Sequence, residues 1–188
     1  MKNKRVISAV LLALILAAHP TGATTLKRMN LDDLTQAAQA VARVKCISNE
    51  TRWDGDHIYT FTTFDVLETL KGSVSQQITV RLIGGQIGHL RLNVDGVPRF
   101  AQGEESYLFL EPTAMGVFSV TSWAQGTFRV RQDPRNQKEG VTQDTGAVSI
   151  FDPTTRQFRP GGVRNMPVNE FRQHVRSAVD RQKMGKML

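Results

Sequence analysis

A chain of 188 residues with 24 lysines and arginines against 17 aspartates and glutamates carries a formal charge of +7. An excess of this size suits loose attraction to acidic glycans or anionic lipid and is too small to argue for a nucleic-acid interface. A single cysteine, Cys46, excludes an internal disulfide, so the fold must rest on its core, and the length is enough for one domain that does so.

Lys2, Lys4 and Arg5 precede an uncharged apolar run over residues 6–18, and Thr21, Gly22 and Ala23 then supply the small residues of a cleavage site. This pattern predicts a signal peptide over residues 1–23 and a periplasmic or extracellular protein. The apolar run is shorter than the roughly 20 residues that cross a bilayer as a helix, so no stable membrane span is expected after cleavage. Without residues 1–23 the chain keeps 21 basic and 17 acidic residues, a net charge of +4.

Over residues 31–42 the positions Leu31, Leu34, Ala38 and Val41 recur at helical spacing behind a capping Asn30, which predicts a short helix. Ala42, Val44, Cys46 and Ser48 then alternate against Arg43 and Lys45, the period of a half-buried strand. Asp54-Gly55 predicts a two-residue hairpin turn joining residues 42–52 to 57–66. The second strand carries Tyr59 and Phe61 at odd positions and Phe64 and Val66 at even ones, a slip that a bulge would produce. Residues 65–71 also suit a single helical turn.

Ile78, Val80 and Leu82 form the next alternation, and Leu90, Leu92 and Val94 another, around the pair Gly84-Gly85. These glycines fit either a flexible binding loop or sharp corners of a sheet, and corners are the preferred reading. Residues 107–110 are apolar on both faces and predict a central, fully covered strand. Residues 117–123 and 127–131 read as two more strands, residues 133–146 as a mobile polar loop, and residues 148–159 as a hairpin around Asp152-Pro153. Phe171, Val175, Ala178 and Val179 share one face of a final amphipathic helix, expected to dock across a barrel opening.

Short strands at near-regular spacing predict a mainly β fold: a closed or partly open antiparallel β-barrel of OB-fold type, with a short N-terminal helix, a C-terminal hairpin and a C-terminal helix. Residues 24–135 would form the barrel domain with its leading helix, and residues 136–188 a loop, hairpin and helix packed on it.

Tyr59-Thr60, Leu70-Lys71-Gly72, Gly84-Gly85, Pro98-Arg99-Phe100, Gly103-Glu104-Glu105 and Gln125-Gly126-Thr127-Phe128 together resemble an uncharacterised group of exported bacterial all-β proteins. The strand order between two helices is similar to the OB-fold barrel of netrin-like domains, which include the tissue inhibitors of metalloproteinases. The resemblance spans roughly residues 30–135 and implies a barrel. It transfers no functional residue, because those inhibitors act through an N-terminal cysteine and disulfides that this chain lacks.

Catalytic spacings are absent: there is no G-x-S-x-G elbow, H-E-x-x-H helix, P-loop or CxxC pair. Asp54, Asp56 and His57 would offer two carboxylates and an imidazole to a cation, but a solvated turn explains them as well. Glu104 and Glu105 are adjacent strand residues that point to opposite faces and cannot easily flank one bond. Cys46 reads as a buried thiol. Trp53 and Trp123, each beside a turn, are the candidate ligand-binding residues, since an exposed tryptophan there can stack on a sugar or anchor a protein; packing into the core or its rim is the competing and preferred reading. No catalytic residue, metal or cofactor is expected. The leading expectation is an exported non-catalytic binding or interaction module for an unknown protein or glycan. The alternatives are an accessory component of an envelope or secretion assembly and a hydrolase with an acidic site.

Overall fold

A computed structural model describes residues 26–134, 137–146, 148–159 and 161–186; the signal peptide expected over residues 1–23 lies outside them. The protein is mainly β, as expected. In chain order the elements are β1 Leu26–Lys27, α1 Leu31–Ala37, β2 Ala40–Asp54, β3 His57–Lys71, β4 Gln77–Ile83, β5 Gly85–Ile87, β6 Leu90–Leu92, β7 Glu105–Pro112, β8 Phe118–Val120, β9 Thr127–Gln132, β10 Glu139–Gln143, β11 Ile150–Asp152, β12 Gln157–Arg159, β13 Met166–Pro167 and α2 Val168–Lys186.

Eight strands form the main sheet in the order β13-β10-β9-β7-β2-β3-β4-β8, and β8 also pairs back onto β7. Two smaller sheets flank it, β1-β11-β12 and the hairpin β5-β6. The central strand β7 is buried on both faces, as its composition demands. Leu108 and Leu110 face an inner cluster with Val44, Cys46, Phe64 and Val80, while Tyr107 and Phe109 face an outer cluster with Phe128, Leu34 and Phe171.

Local chemistry explains the element ends. α1 starts with a capping box in which Asn30 Oδ1 accepts from Asp33 N and Asp33 Oδ2 from Asn30 N. Its last carbonyls receive Lys71 Nζ, which lies 2.6 Å from both Thr35 O and Ala38 O. The helix stops at Ala37, and the strand period takes over from Ala40.

The hairpin turn forms where predicted but with a different register. Asp54 pairs with His57, so the two loop residues are Gly55 and Asp56, and only Gly55 takes positive φ, at 61°. A single positive φ at the first loop position is the type II′ requirement. The apolar slip in β3 proves to be a change of face. Pairing with β4 runs unbroken from Tyr59↔Ile83 to Asp65↔Gln77. Phe64 points into the inner cluster. Phe61 and Tyr59 lie on the opposite face, under the guanidinium groups of Arg52 and Arg81 at 3.9 and 3.5 Å from the ring centroids. Register shifts against β2 do occur, but they flank Ile47, Leu67 and Leu70. Residues 65–71 continue the strand.

Two further expectations are corrected. The segment read as a polar loop contains β10, antiparallel to β9 over five residue pairs. Only Val141 of that strand is a buried apolar residue, and the buried Gln143 satisfies itself by bonding Gln125 O and Val163 N, so composition hid the strand. The second correction concerns α2. It docks on the outer cluster beside α1, at the face of the sheet away from the inner one, and not over an opening. Phe171 meets the rings of Tyr107 and Phe128 there, each at 4.9 Å.

Candidate functional site

The hollow that best suits a ligand lies at the end of the β2–β3 hairpin, on the face that continues the inner cluster. The antiparallel register stacks three cross-strand pairs on that face: Asn49 with Thr62, Thr51 with Thr60, and Trp53 with Ile58. The first two pairs form the floor of a cavity of about 320 Å³. Gly84 and Gly85 close one side, and the segment from Val97 to Phe100 closes the other.

The glycine pair is required by contact distance as well as by conformation. A Cβ on Gly85 would stand 2.4 Å from Thr51 Cγ2 and 2.6 Å from Thr60 Oγ1, and the backbone there has φ of +140°. Only glycine lets β5 lie against the threonine pair. Gly84 is held on both sides, its N–H donating to Ile58 O at 2.7 Å and its carbonyl accepting from Thr60 Oγ1 at 2.7 Å. The opposite wall is fixed by Arg129. Its guanidinium pairs with Glu104 at 2.7 Å and Asp144 at 2.6 Å, sits over the Phe100 ring at 4.8 Å, and donates to the carbonyl of Arg99 at 2.8 Å.

Of the two tryptophans singled out from sequence, neither lines the cavity itself. Trp53 is 52% exposed one rung beyond Thr51, on the same hairpin face, and extends the cavity floor outward. Trp123 opens the 3-10 turn Trp123–Gly126 at positive φ and packs half-buried against the inner cluster. The residues that form the floor, Asn49, Thr51, Thr60 and Thr62, were not anticipated, nor was Arg99 at its rim. The signal for the floor was present: counting rungs outward from the turn at Gly55 puts these polar residues on one face.

The other groups considered from sequence do not converge. Asp54 bonds Arg81 at 2.6 Å, while Asp56 and His57 are exposed beside the turn. Among the described residues no cluster of three or more His, Cys, Asp or Glu side chains is arranged to hold a metal ion. Glu104 turns to Arg129 and Glu105 to Arg43, on different networks. Arg43 also binds Glu139 at 2.6 Å and holds that carboxyl below the usual range. Cys46 is fully buried and free, with its thiol pushed up by burial, which disfavours the reactive thiolate. Tyr107 is pushed up to about 12, first by burial and then by Glu68, to which its hydroxyl donates at 3.1 Å.

No helix among the described residues is long and apolar enough to cross a membrane. No protein-family model matches the chain, and no curated protein matches it in sequence.

Proposed function

We propose that the protein is an exported, non-catalytic binding module whose ligand site is the Thr51–Thr60–Thr62 cavity, with Trp53 as an outer anchor. The single observation that carries this reading is the lining. It combines neutral polar side chains and one arginine with an apolar wall of Leu82, Val97, Pro98 and Phe100, and it contains no carboxylate, histidine or thiol to do acid, base or nucleophilic work. A lining of this make-up suits recognising and holding a ligand. Export rests on the charge, apolar run and small residues of positions 1–23. An OB-like barrel is the architecture we read from the pairings, because β7, β2, β3, β4 and β8 each bond two others of that set.

The hydrolase alternative has less support, since Glu104, Glu105 and Glu139 share one surface hollow but each is already engaged in an ion pair with an arginine. An assembly role draws on Phe158, exposed on edge strand β12 and packed on Phe151 with ring centroids 5.4 Å apart.

The test is retention of solubilised envelope polysaccharide by immobilised protein, wild type against Thr60→Val and Thr62→Val. Retention lost in both variants, with the polysaccharide recovered at unchanged length, is the expected result. Equal retention by the variants would remove the cavity from the reading, and shortened polysaccharide would remove the word non-catalytic.

A further inference from the structure

Every side-chain hydroxyl and amide proton on the cavity floor already faces a protein atom. A backbone carbonyl cannot donate, so the 2.7 Å contact between Thr60 Oγ1 and Gly84 O uses that hydroxyl's one proton. The 3.1 Å contact between Thr51 Oγ1 and Thr60 Oγ1 therefore runs from Thr51 to Thr60. By the same logic, Phe100 O accepts from Asn49 Nδ2 at 2.9 Å, which assigns the Asn49 amide and makes its Oδ1 the acceptor for the Thr62 hydroxyl at 2.7 Å. Asn49 Nδ2 also lies 3.7 Å from Cys46 Sγ. Three threonine oxygens on adjacent rungs are left with lone pairs and no proton to give.

The rim has the opposite character. Arg99 uses Nη2 on Leu92 O at 3.3 Å and Asn93 Oδ1 at 2.6 Å, and among the described residues its Nε and Nη1 have no protein acceptor. No carboxylate lines the cavity to neutralise it. The backbone that carries it is also held in place, because Arg129 donates to the Arg99 carbonyl.

A complementary ligand donates several protons at one end and carries a negative charge at the other. An ammonium donor would need a counter-charge that the floor lacks, whereas hydroxyls need only lone pairs. The volume of about 320 Å³ is at the low end of ligand cavities, roughly 300–1,000 Å³, and suits a ring rather than a long peptide. We infer that the ligand is a sugar acid, its hydroxyls donating to Thr51 and Thr60, beside the buried Thr62 that bonds Asn49, while its carboxylate meets the Arg99 guanidinium. This identification rests on the cavity being the binding site. Trp53, one rung outward, offers a stacking face to the next ring of a longer chain.

The experiment is titration of the purified protein with D-glucuronate, uncharged D-glucuronamide and D-glucose, followed by amide chemical shifts, in wild type and Arg99→Gln. Glucuronate should bind wild type about tenfold or more tightly than glucuronamide, as a charge-assisted bond implies. It should perturb the amides of Thr51, Thr60 and Gly85, and in Arg99→Gln its affinity should fall to that of glucuronamide. If the three probes perturb those amides with equal affinity and Arg99→Gln changes none of them, the sugar acid is wrong and the cavity remains a binding site. If no probe moves those amides, both the ligand class and the site are overturned.

Discussion

Phe171 is the point at which the C-terminal helix meets the sheet, and truncating it asks whether α2 belongs to the folded body. The ring is fully buried, 4.9 Å from Tyr107 and Phe128 and edge-on to Phe109 at 6.4 Å. Those three rings sit on β7 and β9, strands paired on both sides, so they cannot move in to fill the gap. Phe→Ala in a core costs about 3–5 kcal/mol, and the cost rises where the site cannot collapse. Because the neighbouring rings are held rigidly, Phe171→Ala should cost about 4–5 kcal/mol, the upper part of that range. That is about a quarter or more of the roughly 5–15 kcal/mol that holds a typical domain. At about 2–4 °C per kcal/mol for a chain of this size, the thermal midpoint should fall by about 8–20 °C. Urea denaturation followed by far-ultraviolet circular dichroism measures the same quantity, with Phe158→Ala as the control. Phe158 is 58% exposed, and its truncation should stay within about 0.5 kcal/mol. A loss under about 1.5 kcal/mol for Phe171→Ala, or equal losses for the two variants, would refute the packing argument.

Tyr107 makes stability sensitive to alkali. Its hydroxyl is pushed up to about 12 in the fold from an ordinary 10, so the folded state keeps a proton that the unfolded state has released. The contribution is intact below pH 10 and is lost as pH rises toward 12, on the order of 2–3 kcal/mol across the window. Tyr107→Phe should flatten the stability profile between those values in denaturant titrations, and an unchanged slope there would contradict the assignment. Gly85→Ala should displace β5 from the threonine pair, since its Cβ would meet Thr51 and Thr60 at 2.4 and 2.6 Å on a backbone of positive φ. Overpacking and strain of about 1–3 kcal/mol each predict faster hydrogen exchange at the Gly84 amide. Wild-type exchange at that amide would count against the close approach.

Much of this architecture was legible along the chain because its causes are local. Alternation from Ala42 to Cys46, the apolar run at Tyr107–Leu110, the cap at Asn30 and the glycine after Asp54 each follow from a side chain and its near neighbours. Where two causes competed, reading the chain misplaced the result. Tyr59 and Phe61 look like partners of Phe64, yet they lie on the opposite face under Arg81 and Arg52, where Phe61 is still buried because a guanidinium can cover an aromatic ring as an apolar neighbour does. Gln143 reads as loop and is buried, since two well-placed backbone partners offset the loss of water.

The candidate cavity divides along the same line. From sequence alone, period two and a tight turn determine that Asn49, Thr51, Thr60 and Thr62 share a hairpin face, because rung and face depend only on distance from the turn. What covers that face depends on Gly84-Gly85, more than twenty residues beyond Thr62, and on the Pro98–Phe100 wall held by Arg129 from another strand. Meetings between residues so far apart depend on the balance of every pairing in the sheet. Only the tertiary structure decides that these polar side chains meet the Arg99 guanidinium across a hollow instead of facing open water.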